Sequence, residues 1–350
     1  MISAGGTGGH IYPALSFAEA LKKEGIRSVF VGSDDRMEAT LIPESGYDFI
    51  PLHLPTTQGS IFSKIQYGFN MSRSYFACRR ILKERKPDAC VGFGNYISVP
   101  LILAAHRMGI PTMISEQNSF AGKANVFLGK YADAAELAYE SSIRDFDPAK
   151  ARVLGNPRTF ALADLKRNDD LIRSYGIDPS QPFAAVMMGS LGSETMSEVI
   201  DEACGQMDGF QILVSVGKQN PHRFKCDRPN VKILPYIEGA AVLKACDLAV
   251  CRAGATTLAE LAMAGCASVL IPSPFVPNNH QVYNAMELVK NGAAVMIEEK
   301  DLSARRLCDE IDRLMKDDTA RKKMKENAAA MARPNAAADM VLWLKEICRE

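Results

Sequence analysis

Along this chain, short runs of apolar residues alternate with longer stretches in which apolar positions recur every three or four residues. Ala14, Leu15, Ala18 and Leu21 keep the helical spacing, and Gly25 closes that helix. Residues 28–33, 49–52, 88–92 and 111–115 read as strands, with a helix over 99–108 between the last two. The alternation resumes farther on. Strands are predicted at 183–188, 212–216, 231–234, 248–251 and 268–271, a helix at 194–207, and charged helices from Leu302 onward. The final helix begins near Asn335 and carries the only tryptophan, Trp343. Strands alternating with helices predict parallel sheets, whose ligands bind beyond the carboxyl ends of the strands. Met1-Ile2-Ser3 is short for a first strand, which usually has about 5–6 residues, so a clipped strand or a late start is expected.

A chain of 350 residues suits two domains rather than one core. The Gly155-Asn156-Pro157 break divides it into residues 1–157 and a second Rossmann-like half over 158–334. A dehydrogenase normally has one such domain plus a different catalytic one. Two parallel-sheet α/β domains facing across a cleft make the GT-B arrangement of glycosyltransferases, shared with some sugar epimerases. The 41 Lys and Arg residues balance 41 Asp and Glu, so no global field points to nucleic acid. The nine cysteines contain no CxxC pair, which favours buried thiols in a reducing compartment over a disulfide frame or a zinc site. No apolar run is long enough to span a bilayer and the start lacks a signal-peptide pattern, so a soluble chain able to touch a membrane surface is expected.

The candidate chemistry gathers at strand ends. Ala4-Gly5-Gly6-Thr7-Gly8-Gly9-His10 is a glycine loop opening a helix, with Pro13 expected in the first helical turn. Backbone N–H groups and the helix dipole there favour an anion such as a diphosphate. The dipole also disfavours a protonated His10, whose neutral ring could take a proton or could simply hydrogen-bond the loop. Glu116 competes for the role of base, or else holds the neighbouring loop in place. Gly92-Phe93-Gly94-Asn95-Tyr96 forms a second glycine loop, and Gly189-Ser190-Leu191-Gly192-Ser193 a third.

In the second half, residues 251–260 run from a strand through a small-residue turn into a helix, offering N–H groups to a diphosphate. Glu260 could accept both hydroxyls of a ribose or remain a solvated helix carboxylate. Gln281 both donates and accepts, which suits neighbouring sugar hydroxyls. Arg158 would meet diphosphate oxygens in an interdomain cleft, or stay in solvent. Asp145-Phe146-Asp147 matches a DxD metal motif, but Pro148 follows in a loop, and the match is rejected. With no HExxH or facial-triad cluster either, no metal or cofactor is expected.

Between residues 60 and 86, Lys64, Arg73, Arg79, Arg80, Lys83, Arg85 and Lys86 face one acid, Glu84. Ile61, Ile65 and Phe69 recur at i, i+4 and i+8, with Phe62, Tyr75 and Phe76 adding aromatic surface. Such a segment suits an anionic bilayer. It also reads as a helix with a core face and a wet basic face.

Taken together, residues 5–10, 92–100, 115–118, 155–158, 189–192, 252–260 and 281–285 resemble the MurG-type transferases of glycosyltransferase family 28, over nearly the whole chain. The resemblance implies an inverting enzyme that moves GlcNAc from UDP-GlcNAc to lipid I to give lipid II in peptidoglycan synthesis. It places the lipid acceptor on the N-terminal domain and UDP-GlcNAc mainly on the C-terminal one, with helix 335–350 returning to the first. By position, Thr7, Gly8 and Gly9 would line the donor sugar and Asn118 would contact it. Arg158 and Ser190 would hold the diphosphate, and the backbone of Ile237 would read the uracil. Ala255, Thr256, Thr257, Leu258 and Ala259 would cradle phosphate and ribose, Glu260 the ribose diol, and Gln281 the GlcNAc hydroxyls. Gly92, Gly94, Asn95 and Tyr96 would help bind the acceptor diphosphate, and His10 or Glu116 would act as base. The basic segment, with Ile61, Ile65, Phe69, Tyr75 and Phe76, falls near the family's membrane patch, implying a peripheral enzyme on the cytoplasmic side of the cell membrane. Four departures stand out: the short first strand, Ser115 where histidine is usual, Met188 and Asn95 in place of glycine, and Arg158 directly after Pro157. A UDP-GlcNAc epimerase, a transferase for another lipid, and a non-enzymatic nucleotide-sugar binding module are the rival readings.

Overall fold

The structure is a computed structural model that describes residues 1–54, 61–189, 194–217 and 220–349, with backbone only at 61–67, 194 and 195. The chain forms two compact units: residues 1–160 with 333–350, and residues 161–332.

In the first unit, strands and helices follow one another as β1 (Ile2–Ser3), α1 (Gly8–Lys23), β2 (Val29–Ser33), α2 (Glu38–Glu44) and β3 (Asp48–Leu52). Then come α3 (Ile61–Arg85), β4 (Cys90–Gly92), α4 (Val99–Arg107), β5 (Thr112–Glu116), α5 (Lys123–Leu128), β6 (Ala134–Leu137) and β7 (Ala151–Val153). These strands form a parallel sheet in the order β3-β2-β1-β4-β5-β6-β7. Two-residue β1 still occupies the middle, with Ile2 opposite both Phe30 and Val91. Because the strand order reverses between β1 and β4, the turns that follow those strands diverge there and leave the crevice in which such sheets bind ligands.

The second unit runs α6 (Asp169–Ser174), β8 (Phe183–Met187), α7 (Glu194–Cys204), β9 (Gln211–Ser215), β10 (Val231–Leu234), α8 (Gly239–Leu243) and β11 (Leu248–Cys251). It continues with α9 (Ala255–Ala264), β12 (Ser268–Leu270), α10 (His280–Lys290), β13 (Ala294–Met296), α11 (Ala304–Lys316) and α12 (Asp318–Ala330). Its order, β10-β9-β8-β11-β12-β13, repeats that of the first sheet, so its reversal lies between β8 and β11. The final helix, α13 (Ala336–Ile347), belongs to the first unit, where Met340, Val341, Trp343 and Leu344 join Ile2, Phe17, Phe30 and Phe93 in one core.

Two expectations need correction. Helix α1 starts at Gly8, so Pro13 is its sixth residue rather than part of its first turn. Its ring removes the N–H that would otherwise meet the carbonyl of Gly9. Strands β6, β7 and β13 lie outside the strands read from the pattern, because Ala-Ala-Glu-Leu, Ala-Arg-Val and Ala-Val-Met are too short or too mixed to announce a strand.

Candidate active site

In the first unit, the turns after β1, β4 and β5 converge. Gly6 (φ +82°) directs its N–H to the buried Glu38 carboxylate at 2.9 Å, and the other Glu38 oxygen accepts from Ser33 N at 3.2 Å. A Cβ at Gly5 would stand 2.2 Å from Glu38 Oε1, so only glycine fits there. Thr7 is extended and caps α1: its carbonyl accepts from His10 N and its Oγ1 lies 3.1 Å from His10 Nδ1. His10 is half-buried and Thr7 exposed. From the neighbouring turn, Gly94 closes on the imidazole. A Cβ there would lie 3.3 Å from His10 Nε2 and 3.2 Å from Asn125 Nδ2.

Asn125 joins this turn to Glu116. The Glu116 carboxylate accepts from Asn118 N and Asn118 Nδ2 at 3.0 Å, from Gly122 N at 2.8 Å and from Asn125 Nδ2 at 2.9 Å. It is buried, and three of the four donors come from the loop it begins, the fourth from α5. This is a loop anchor; both oxygens are already engaged. One residue earlier, Ser115 Oγ donates to Glu136 at 2.5 Å and receives Gln117 Nε2 at 2.8 Å. Burial pushes the Glu136 carboxyl up to about 8; the Ser115 hydrogen bond opposes this and the Glu116 charge adds to it. Glu136 Oε1 has no hydrogen-bond partner among the described residues.

Farther along the same rim, Tyr12 lies against Gly8, and the Arg158 guanidinium stands 5.3 Å from the Tyr12 ring centroid. Arg158 N donates to Asn156 Oδ1 at 3.0 Å, which fixes the turn after Gly155 (φ +102°). The structure therefore groups His10, Thr7, Gly94, Asn95 and Glu116, with Gly8, Tyr12 and Arg158 beside them. Gly92 is a buried β4 residue packed against Ser98 and Ile102, so its part is structural.

In the second unit, β11 is followed by Arg252, whose guanidinium donates to Glu299 and to the Ile271 carbonyl. Gly254, in extended conformation, starts α9, and its carbonyl accepts from Leu258 N at 3.0 Å. The positive end of α9 thus lies just past the carboxyl end of β11, where a phosphate is favoured. Leu258 and Ala259 are buried in the core, as are Ala255 and Ile237, so none of these four offers a side chain to a ligand. Thr256 and Thr257 are half-buried, and Thr256 Oγ1 has no hydrogen-bond partner among the described residues. Glu260 is the sixth residue of α9 and half-buried. From α10, Gln281 Oε1 accepts from Ser273 N at 2.9 Å, which leaves its NH₂ as the group it can offer. Ser190 lies outside the described residues, one position beyond Gly189 (φ +83°).

Sequence reasoning missed Glu38, Asn125 and Glu136. Asn125 left a signal, a polar residue three positions before Leu128 on the buried side of a short helix. Nothing in the sequence marks Glu38 or Glu136 as buried. Among the described residues no group of three or more His, Cys, Asp or Glu could hold a metal ion. A cavity of about 690 Å³ at the amino ends of β2 and β4, bordered by Val29, Ala89 and Leu344, holds none of the candidate catalytic or substrate-binding residues.

Comparison with known proteins agrees over the full length. Residues 1–136 match the glycosyltransferase family 28 N-terminal domain, and residues 183–340 its C-terminal domain. A Pediococcus pentosaceus protein, named UDP-N-acetylglucosamine--N-acetylmuramyl-(pentapeptide) pyrophosphoryl-undecaprenol N-acetylglucosamine transferase, is 36% identical, covering 100% of this chain and 99% of its own. A Lactiplantibacillus plantarum protein of the same name is 35% identical with the same coverage. The crystal structure of Acinetobacter baumannii MurG superposes with a TM-score of 0.81 at 28% identity, over 99% of each chain. A glycosyltransferase of kitacinnamycin shares the fold alone, with a TM-score of 0.73, 16% identity and 98% coverage of each chain.

Proposed function

We propose, from the premise that this chain belongs to glycosyltransferase family 28, that it transfers GlcNAc from UDP-GlcNAc to the 4-hydroxyl of the MurNAc in lipid I, with inversion at the anomeric carbon. One observation carries the reading. His10 stands at the reversal point of the first sheet, with Nδ1 engaged by Thr7 and its Nε2 edge against a residue without a side chain. In this reading Nδ1 carries the ring hydrogen, Thr7 Oγ1 accepts it, and Nε2 takes the proton of the attacking hydroxyl. Gly94 leaves room for the acceptor. Glu116 serves as the anchor of the 116–125 loop, which presents Asn118.

The leaving UDP gathers negative charge as its bond to the sugar breaks. The α9 N-terminus is assigned to that charge, with no metal invoked. Glu260 takes the ribose diol and the Gln281 amide the GlcNAc hydroxyls. Incubating the protein with UDP-GlcNAc, with and without a lipid I analogue, tests the reading. UDP release that depends on acceptor, with a β(1→4) disaccharide on the lipid, is the expected result. An acceptor-independent change of the sugar would make the protein an epimerase. Tight binding without turnover would make it a binding module.

The same reading puts the enzyme at the cytoplasmic face of the membrane through α3. Phe69, Arg73, Phe76, Arg80 and Lys83 are all exposed and follow at i, i+4, i+7, i+11 and i+14, so aromatic and basic side chains alternate on one helix face. Phe69 is 71% and Phe76 62% exposed. Tyr75 instead packs partly against the core, and the Ile61 and Ile65 side chains lie outside the described residues. No described helix is long and apolar enough to cross a membrane. Replacing Phe69 and Phe76 by Glu is expected to abolish sedimentation with anionic vesicles and leave turnover on a short-chain, soluble acceptor intact.

A further inference from the structure

The turn beside His10 contains a conformation that its residue disfavours. Asn95 sits at φ 62°, ψ 161°, a region occupied almost only by glycine, where another residue persists when its surroundings over-determine it. Here they do. Asn95 Oδ1 accepts from Tyr96 N at 2.7 Å, and Ser98 Oγ donates to the carbonyls of Gly94 and Asn95 at 2.8 and 2.9 Å. The remaining amide group, Nδ2, reaches across to the carbonyl of Gly5 at 3.4 Å. It also fills the space over Gly6, where a Cβ would stand 2.2 Å from it. Glu38 holds Gly6 through its N–H, so the first glycine turn is gripped by a carboxylate and an amide from different strand ends.

We propose that Asn95 is a positioning residue for the transfer: its amide locks the second glycine turn to the first and so keeps Gly94 against the His10 imidazole. The inference rests on the assignment of His10 as base. A side chain that merely stabilised the fold would make stability and turnover fall together when removed. A strained tie behaves otherwise. Asn95→Gly relaxes the backbone and deletes the tie, whereas Asn95→Ala keeps the strained backbone and loses the tie.

The test compares wild type, Asn95→Gly and Asn95→Ala as full chains, by thermal melting and by kcat and KM with UDP-GlcNAc and a lipid I analogue. Asn95→Gly is expected to melt no lower than wild type, to lose about tenfold in kcat, and to keep its KM for UDP-GlcNAc. Asn95→Ala is expected to lose a similar factor in kcat and to melt lower than both. Wild-type kcat in Asn95→Gly overturns the proposal, as does a parallel fall of its melting temperature and kcat. The NMR resonances of the His10 ring give a readout that needs no turnover. They should shift in Asn95→Gly, and unchanged resonances overturn the proposal even if the wild-type protein proves to have another activity.

Discussion

The two units share a strand order but build their ligand-facing ends by different means. In the first, side chains hold the backbone: Glu38, Asn95, Glu116 and Asn125 pin three turns around His10. In the second, Gly254 and the start of α9 supply main-chain groups, and Arg252, just past β11, pairs with Glu299. A group that moves a proton must be held within hydrogen-bond reach of it, and buried polar partners achieve that placement. A diphosphate needs only converging N–H groups and a dipole. Under the proposed function, the contrast is the one expected between a unit that moves a proton and a unit that holds a diphosphate.

His10→Ala gives the largest expected effect on that contrast. Turnover should fall by about 10²- to 10⁴-fold, while calorimetry shows UDP-GlcNAc affinity nearly unchanged. Near-normal turnover would remove His10 from the mechanism and leave the first unit without a base. Glu116→Gln comes next. It replaces two acceptor sites with an NH₂ facing buried donors, at a cost of about 2–3 kcal/mol in unfolding free energy. The pH profile of kcat should keep both limbs; loss of the acidic limb would mean that Glu116, not His10, takes the proton.

Glu260→Ala probes the other unit. Loss of hydrogen bonds to a charged acceptor should raise KM for UDP-GlcNAc by about 10- to 100-fold, with a smaller change in kcat. An effect confined to kcat would erase the distinction between the units.

The smallest effect concerns the support beneath the first site. Glu136 has its pKa raised from 4.5 to about 8, so the folded chain holds a proton that the unfolded chain releases between those values. Its contribution is complete below about pH 4.5 and is lost as pH rises through about 8. Melting curves of Glu136→Gln should lack that decline and cross those of wild type as pH increases. Identical slopes would mean that Glu136 is ionised in the folded state.

The strands at Val231–Leu234 and Leu248–Cys251 were legible because each is a short stretch rich in apolar residues, the first broken only by Lys232, bounded by turn signals. Ala134–Leu137 was not: its two alanines and a glutamate become a strand only through pairing with β5 and β7. The glycine loop ahead of α1 was visible as a loop opening a helix, yet its starting residue was not, since Pro13 suggested a later one.

By itself, the sequence determined the alternation of strands and helices, the turns rich in glycine and the family to which they belong. These are local properties, written in spacing and residue type. The tertiary structure alone decided that Glu38 meets Gly6 across 32 positions, that Gly94 lies against His10, and that Glu116 spends its carboxylate on its own loop. Burial of a polar group depends on which strands become neighbours, and that neighbourhood is set by the whole sheet rather than by any stretch of the chain.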